Sequence, residues 1–371
     1  MGYVSWGGSL RGKRTVRSKA LNMKGYPNQH RDASGYYREG VPEERGILGA
    51  RSDLTPTKGL SSSVMQEVVP EEATDTVTVE DVYCSVGKLV AAAVSSANIK
   101  ELCVERKNGK RKVRPQFHVI IRADTGQLKS TFMKKVAEDL GVDIYQELTI
   151  PGLVGTVDKN TGELIVGAAW EVANKVLLLD EFTPNYRGEY LKSFLVLLED
   201  QWCTKKIGLR SAGISKRKGD LRLTVKDGHL TFRTRFSCII STMIPFEATK
   251  GQFVRALMNR CAVYEYNLSP EQLDRVALEE PEFTYPRYHP AEIVTIGRKE
   301  YREIVNFVAK VMLQCPVASW VKAQNRLRAI DDIIRFRAAT GHKDPEFEAK
   351  IVWWKLKAYA KIGSNTRKKA S

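Results

Sequence analysis

No stretch of this 371-residue chain approaches the roughly eighteen consecutive apolar residues that a membrane-spanning helix needs, so a helical membrane protein is not expected. Its N-terminus is basic but has no apolar core of the kind a signal peptide carries, and the default expectation is a cytoplasmic protein, acting in a nucleoid or a host-cell cytoplasm. Histidine is scarce, and the five present form no ligand cluster. The six cysteines, Cys84, Cys103, Cys203, Cys238, Cys261 and Cys315, lie far apart without C-x-x-C spacing. This pattern argues against a zinc site and a disulfide framework and for free thiols in a reducing compartment. Acidic residues are the minority, 43 against 59 Lys and Arg, for a net charge of +16. Internal repeats are also absent.

The excess charge is unevenly placed. Residues 1 to 60 hold eleven Lys and Arg against five acidic residues, whereas 61 to 80 hold five acidic residues and no basic one. Rich in Gly, Ser, Pro and charge and without sustained periodicity, residues 1–78 read as a flexible basic arm and acidic linker, and a basic leader favours nucleic acid as a partner. Tyr3, Trp6, Tyr26, Tyr36 and Tyr37 interleave with its arginines. Stacking on bases and docking on another subunit both fit them.

Ordered structure is expected from Val79, with a helix through Ala97, a strand over Glu101 to Arg106 and a basic hairpin turn at Lys107-Asn108-Gly109-Lys110. Then comes the segment richest in chemistry. Phe117 to Ile121 reads as a buried strand, and Thr131 to Leu140 puts Phe132, Met133, Val136 and Leu140 on one helical face. Between them stand Ala123, Asp124, Thr125, Gly126, Gln127, Leu128, Lys129, Ser130 and Thr131, a phosphate-binding loop with its outer glycines replaced by Ala123 and Leu128. In such a loop backbone N–H groups wrap the phosphates, the lysine pairs with the outer ones, and the hydroxyl holds Mg²⁺. Residues 124–131 are thus candidates to bind a nucleotide. About fifty residues on, Lys175 to Leu179 is an apolar strand that ends in Asp180 and Glu181. Asp180, with Ser130, would hold Mg²⁺, and Glu181 would activate the attacking water. A plain core strand running into a solvated acidic turn is the competing account.

Together these segments resemble the minichromosome maintenance (MCM) helicases, a branch of the AAA+ ATPases, over roughly residues 112 to 340. The family's G-D-P-G-T-A-K-S falls in register with Asp124, Gly126, Lys129 and Ser130. Gly152 to Val157, Thr161-Gly162-Glu163 and Gly167-Ala168 match the segment that leads into the family's D-E-F. Leu198-Glu199-Asp200-Gln201 and Lys206-Ile207-Gly208-Leu209 match the elements before a hairpin that enters a central channel. Here Lys205, Lys206, Arg210, Lys216, Arg217 and Lys218 supply six basic side chains with no acidic one among them, and Lys218-Gly219-Asp220 offers a turn. The resemblance implies that this loop holds DNA phosphates without reading bases, although most charge runs are solvated surface.

The resemblance further implies an arginine finger at Arg260, with Arg255 a weaker competitor, and a sensor 2 arginine at Arg328, at the start of a lid helix. Arg235 to Thr242 occupies the sensor 1 strand, where the family uses an Asn. No Asn is present, and Ser241 or Thr242 offers a hydroxyl instead, Thr242 being the catalytic candidate. The expected fold is α/β: an AAA+ P-loop core over 79–270, with a parallel sheet flanked by helices and a basic pore hairpin near 205–230, followed by a helical lid and basic tail over 271–371. The expected function is an ATP hydrolase, with ATP and Mg²⁺ as cofactors, that forms a homo-oligomeric ring, a hexamer in the family, and translocates on or unwinds DNA in replication. Its rival is a DNA-binding ring or scaffold that binds nucleotide without hydrolysing it. Within this sequence the oligonucleotide-binding N-terminal domain of the replicative helicases is not expected.

Overall fold

The computed structural model describes residues 77–367, apart from 147, 158–163, 184–187, 200–201, 207–222, 227–228 and 247–251. Residues 1–76 of the expected arm and linker lie outside the described residues, as do Arg210, Lys216, Arg217 and Lys218. In chain order the elements are α1 (Val79–Ser96), β1 (Glu101–Arg106), β2 (Gly109–Val113), β3 (His118–Arg122), α2 (Lys129–Leu140), β4 (Ile144–Tyr145), α3 (Ile150–Val154), β5 (Thr156–Val157), β6 (Leu164–Ile165), α4 (Ala168–Glu171) and β7 (Val176–Leu179). They continue as α5 (Gly188–Glu199), β8 (Trp202–Lys206), β9 (Leu223–Lys226), β10 (His229–Arg233), β11 (Ser237–Thr242), α6 (Gln252–Arg260), β12 (Cys261–Glu265), α7 (Pro270–Glu279), β13 (Ile293–Ile296), α8 (Arg298–Gln314), α9 (Ser319–Thr340) and α10 (Pro345–Arg367).

The central sheet has five strands in the order β12-β3-β11-β7-β4, every neighbouring pair parallel. Its inner strands are apolar runs buried on both faces, as a parallel sheet covered by helices requires: His118–Arg122, Val176–Leu179 and Ser237–Thr242 are buried at every position. Because β11 lies between β3 and β7, the strand that delivers the loop and the strand that delivers the acids stand two spacings apart, about 9.5 Å. Ligands of open parallel sheets bind at the carboxyl ends of the strands, where these two strands finish.

Helix α1 starts where the side chain of Thr78 accepts from the Asp81 N–H, with Glu80 and Asp81 in the first turn. Its apolar face is buried against the sheet and α9. A second sheet, β13-β1-β2, joins distant parts of the chain: β13 runs parallel to β1, with Glu101 opposite Ile293 and Val104 opposite Ile296, and β2 is antiparallel to β1. Within the C-terminal helices, buried Lys355 pairs with buried Asp332, which also accepts from Arg335 at 3.1 Å, and Arg337 grips Glu348 with two hydrogen bonds of 2.8 and 2.7 Å. Helix α9 begins at Ser319, so Arg328 stands in its middle rather than at its start.

β8, β10 and β9 form an antiparallel sheet in that order, and the strand positions of Lys205 and Lys206 face Leu230 and His229 of β10. The segment joining β8 to β9, with the expected turn at 218–220, lies outside the described residues. Gly155 and Gly167 meet backbone to backbone beside the β5–β6 pair. A Cβ on Gly167 would fall 2.3 Å from the Gly155 nitrogen, so no larger residue fits there without moving the chain.

Candidate nucleotide site

At the end of β3 the chain turns through Ala123 to Leu128 and enters α2 at Lys129. Two residues take left-handed conformations, Gly126 at φ 77° and Leu128 at φ 65°. The second is costly for a side chain with a Cβ, by roughly 1 kcal/mol or more, so something outside the loop must hold it. Contacts from the segment after β12 do so. The Gln127 side chain accepts from the Leu268 N–H at 2.6 Å and donates to the Leu268 carbonyl at 3.2 Å, and the Tyr266 hydroxyl donates to the Gln127 carbonyl. Asn267 accepts from the Asp124 N–H and donates to the Asp124 carboxylate, both at 2.9 Å. Arg122, nearly buried beneath the loop, bridges Asp124 at 2.7 Å and Glu265 at 3.1 Å.

The crest at Asp124, Thr125 and Gly126 is exposed, as are Ser130 and Thr131, while Gln127 and Lys129 are buried. The Lys129 ammonium donates to the carbonyls of Ala123 at 2.8 Å and Asp124 at 2.5 Å, closing the loop into a ring. Burial lowers its pKa, with Asp180 acting in the opposite direction. No side chain caps α2, so the amides of its first turn are left to an anion, in the region where the helix dipole favours one.

The acids arrive from β7. Asp180 is buried and accepts from the Ser130 hydroxyl at 2.8 Å and, on its other oxygen, from the Ser241 hydroxyl. Glu181 is exposed and holds a left-handed backbone at φ 54°, and its N–H donates to Ser241 Oγ at 3.2 Å and Asp180 Oδ1 at 3.1 Å. β11 ties both sides together: the Ala123 N–H donates to the Thr242 carbonyl at 3.2 Å and the Phe182 N–H to the Ser241 carbonyl at 2.9 Å. The Thr242 hydroxyl instead accepts from the Ile244 N–H at 3.2 Å. Ser241 is therefore the hydroxyl that meets the acids.

Asp124 to Thr131, Asp180, Glu181 and Ser241 thus converge, whereas Arg260 and Arg328 are bonded to other partners. Arg260 ends α6 at the amino edge of the sheet, since the next residue, Cys261, is opposite His118 at the start of β3. Its guanidinium pairs with Glu199 and donates to the Ala256 carbonyl at 2.8 Å, and Arg114 donates to the Arg260 carbonyl at 3.2 Å. Arg328 donates to the Tyr359 hydroxyl at 3.4 Å, and that hydroxyl donates to the Arg255 carbonyl at 3.0 Å, so Arg328 stands on the α6 side of the molecule. Asn267, Gln127 in its clamping role and Arg122 escaped sequence reasoning. Only the adjacency of Arg122 to the loop and the polar Asn267 after an apolar strand mark them.

Ser130 and Asp180 together present hard oxygen donors, the chemistry that suits Mg²⁺, and no group of three or more His, Cys, Asp or Glu side chains able to hold a metal occurs among the described residues. No protein-family model matches this sequence, and no curated protein matches it. The geometry is that of an α/β chain with a parallel five-stranded sheet flanked by helices, compatible with a P-loop-like core, and the β3–α2 loop lies at its carboxyl edge.

Proposed function

We propose that this chain is an ATP hydrolase, a motor module similar to the core of MCM helicases, which assembles as a ring and moves on DNA. The observation that carries this reading is the constellation of Lys129, Ser130, Asp180, Glu181 and Ser241 around a left-handed loop at the end of the sheet. In this reading the amides from Asp124 to Thr131 bind the phosphates. Lys129 leaves the carbonyls of Ala123 and Asp124 to pair with the outer phosphates. Ser130 and Asp180 would hold Mg²⁺, which would supply neutralisation of the phosphate charge. Glu181, exposed beside Asp180, orients and deprotonates the attacking water, while Ser241 fixes the acids through its hydroxyl and carbonyl. Arg260 lies at the amino edge of the sheet, away from the loop of its own chain, which supports its action as an arginine finger on a neighbouring subunit's nucleotide, and Arg328 is the proposed sensor 2 arginine. The basic segment from Lys205 to Lys218 is the proposed DNA contact.

Magnesium-dependent ATPase activity with and without single-stranded DNA tests this proposal. The expected result is activity in the wild type, loss of nucleotide binding in Lys129→Ala, and retained binding without turnover in Glu181→Gln. Nucleotide binding by the wild type without hydrolysis in any oligomeric state would replace the motor with a scaffold, the alternative suggested by Leu128 in the loop and by a hydroxyl where the resemblance places a sensor 1 Asn.

A further inference from the structure

We infer that a second nucleic-acid surface lies outside the loop from Lys205 to Lys218, where the β1–β2 turn and the first turn of α8 come together. β1 and β13 run parallel, with Val104 opposite Ile296. Two residues later β1 ends at Arg106, and two residues after Ile296 the helix α8 begins at Arg298. The register therefore brings Arg106 and Lys107 to the same end of the sheet as Arg298, Lys299 and Arg302. Contact is direct, for the Arg106 guanidinium lies over the Tyr301 ring, 5.3 Å from its centre.

All five of these basic side chains are exposed, and none has an ion-pair partner among the described residues. The neighbouring carboxylates are already engaged. Glu105 approaches Lys110 at 3.8 Å, Glu101 meets Lys112 at 3.2 Å, Glu300 meets Arg337 at 3.5 Å and Glu303 meets Lys343 at 2.8 Å. The Lys343 contact lowers the pKa of Glu303. What remains is an excess of positive charge, only partly offset by Glu303 through Lys299, around the shallow depression lined by Arg298, Lys299, Arg302, Glu303 and Asn306. Like charges held together repel, and a polyanion relieves the repulsion while releasing its own counterions. The cations spread over two elements rather than converging in a closed pocket, which fits a backbone of repeating phosphates better than a single small anion. No exposed apolar side chain stands among them to enter a lipid surface. The surface does not depend on the ATPase reading.

The test measures anisotropy of a labelled duplex and of a labelled single strand against salt, with the full chain and two variants, Arg298→Glu/Lys299→Glu/Arg302→Glu and Arg106→Glu/Lys107→Glu. Each should lower affinity at least about tenfold near physiological salt, alike for unrelated sequences, and reduce the log–log salt slope by about one for every phosphate that the variant no longer neutralises. Magnesium-dependent ATPase activity without nucleic acid should stay at the wild-type level, so a failure of the motor proposal is read separately. If the first variant unfolds, Arg298→Ala/Lys299→Ala/Arg302→Ala takes its place. Unchanged affinity and slope in both variants would overturn the inference. So would loss of binding to phosphatidylserine vesicles with nucleic-acid binding intact.

Discussion

Ser241 and Thr242 are neighbours on one strand, yet their hydroxyls meet different partners: Ser241 meets Asp180 and the Glu181 N–H, and Thr242 meets the backbone two residues on. A hydrogen bond to a carboxylate is worth about 1.5–3 kcal/mol, so Ser241→Ala should lower kcat roughly 10- to 100-fold, whereas Thr242→Val should leave it within a few fold. Steady-state ATPase kinetics decide this, and equal losses in the two variants would contradict the assignment. The sequence alone admits either hydroxyl. Successive strand residues point to opposite faces, and only the register of β11 against β7, Ile240 opposite Leu179, tells which one turns toward the acids. Gln127 was harder to read. Its partner at Leu268 is 141 positions away, and no local pattern announces a side chain that grips a distant backbone.

Among the elements, β3 carries a buried titratable group with a measurable consequence. His118 accepts from the Cys238 N–H at Nδ1, 3.0 Å, so Nε2 carries the proton and donates to the Leu198 carbonyl at 3.2 Å. Both nitrogens are satisfied in the neutral ring. Burial, with Arg114 adding to it, holds the imidazole well below its usual pKa. A depressed folded-state value means that this stability is present above the unfolded pKa near 6.5 and is lost as pH falls below it, by about 1.4 kcal/mol per pH unit. Urea denaturation between pH 8 and 5 should therefore show less loss on acidification in His118→Gln than in the wild type, and identical pH profiles would refute it. Elements with strong local signals were legible: the helix expected from Val79 through Ala97 is α1, and the strand expected over Glu101 to Arg106 is β1. The β1–β13 pairing was not, because a short run such as Ile293–Ile296 names no partner by itself.

At the scale of the whole molecule, the position of Arg260 bears on assembly. From Cys261 opposite His118 to Glu265 opposite Arg122, β12 spans about 13 Å along β3 before the chain reaches the level of the loop. An arginine anchored at the far edge is poorly placed to reach a nucleotide bound at the loop of its own chain. Arg260→Ala should bind ATP and hydrolyse it poorly, and mixing it with inactive Lys129→Ala should restore part of the activity at mixed interfaces. Full activity in a preparation that sedimentation shows to be monomeric would count against that arrangement. The β13-β1-β2 sheet sets a different requirement, one of time. Lys100 donates its N–H to the carbonyl of Glu292, a partner 192 residues later. At synthesis rates of roughly 5–20 residues per second, β1 leaves the ribosome some 10–40 seconds before the strand that completes it, and for that interval its edge stands open to any other extended chain.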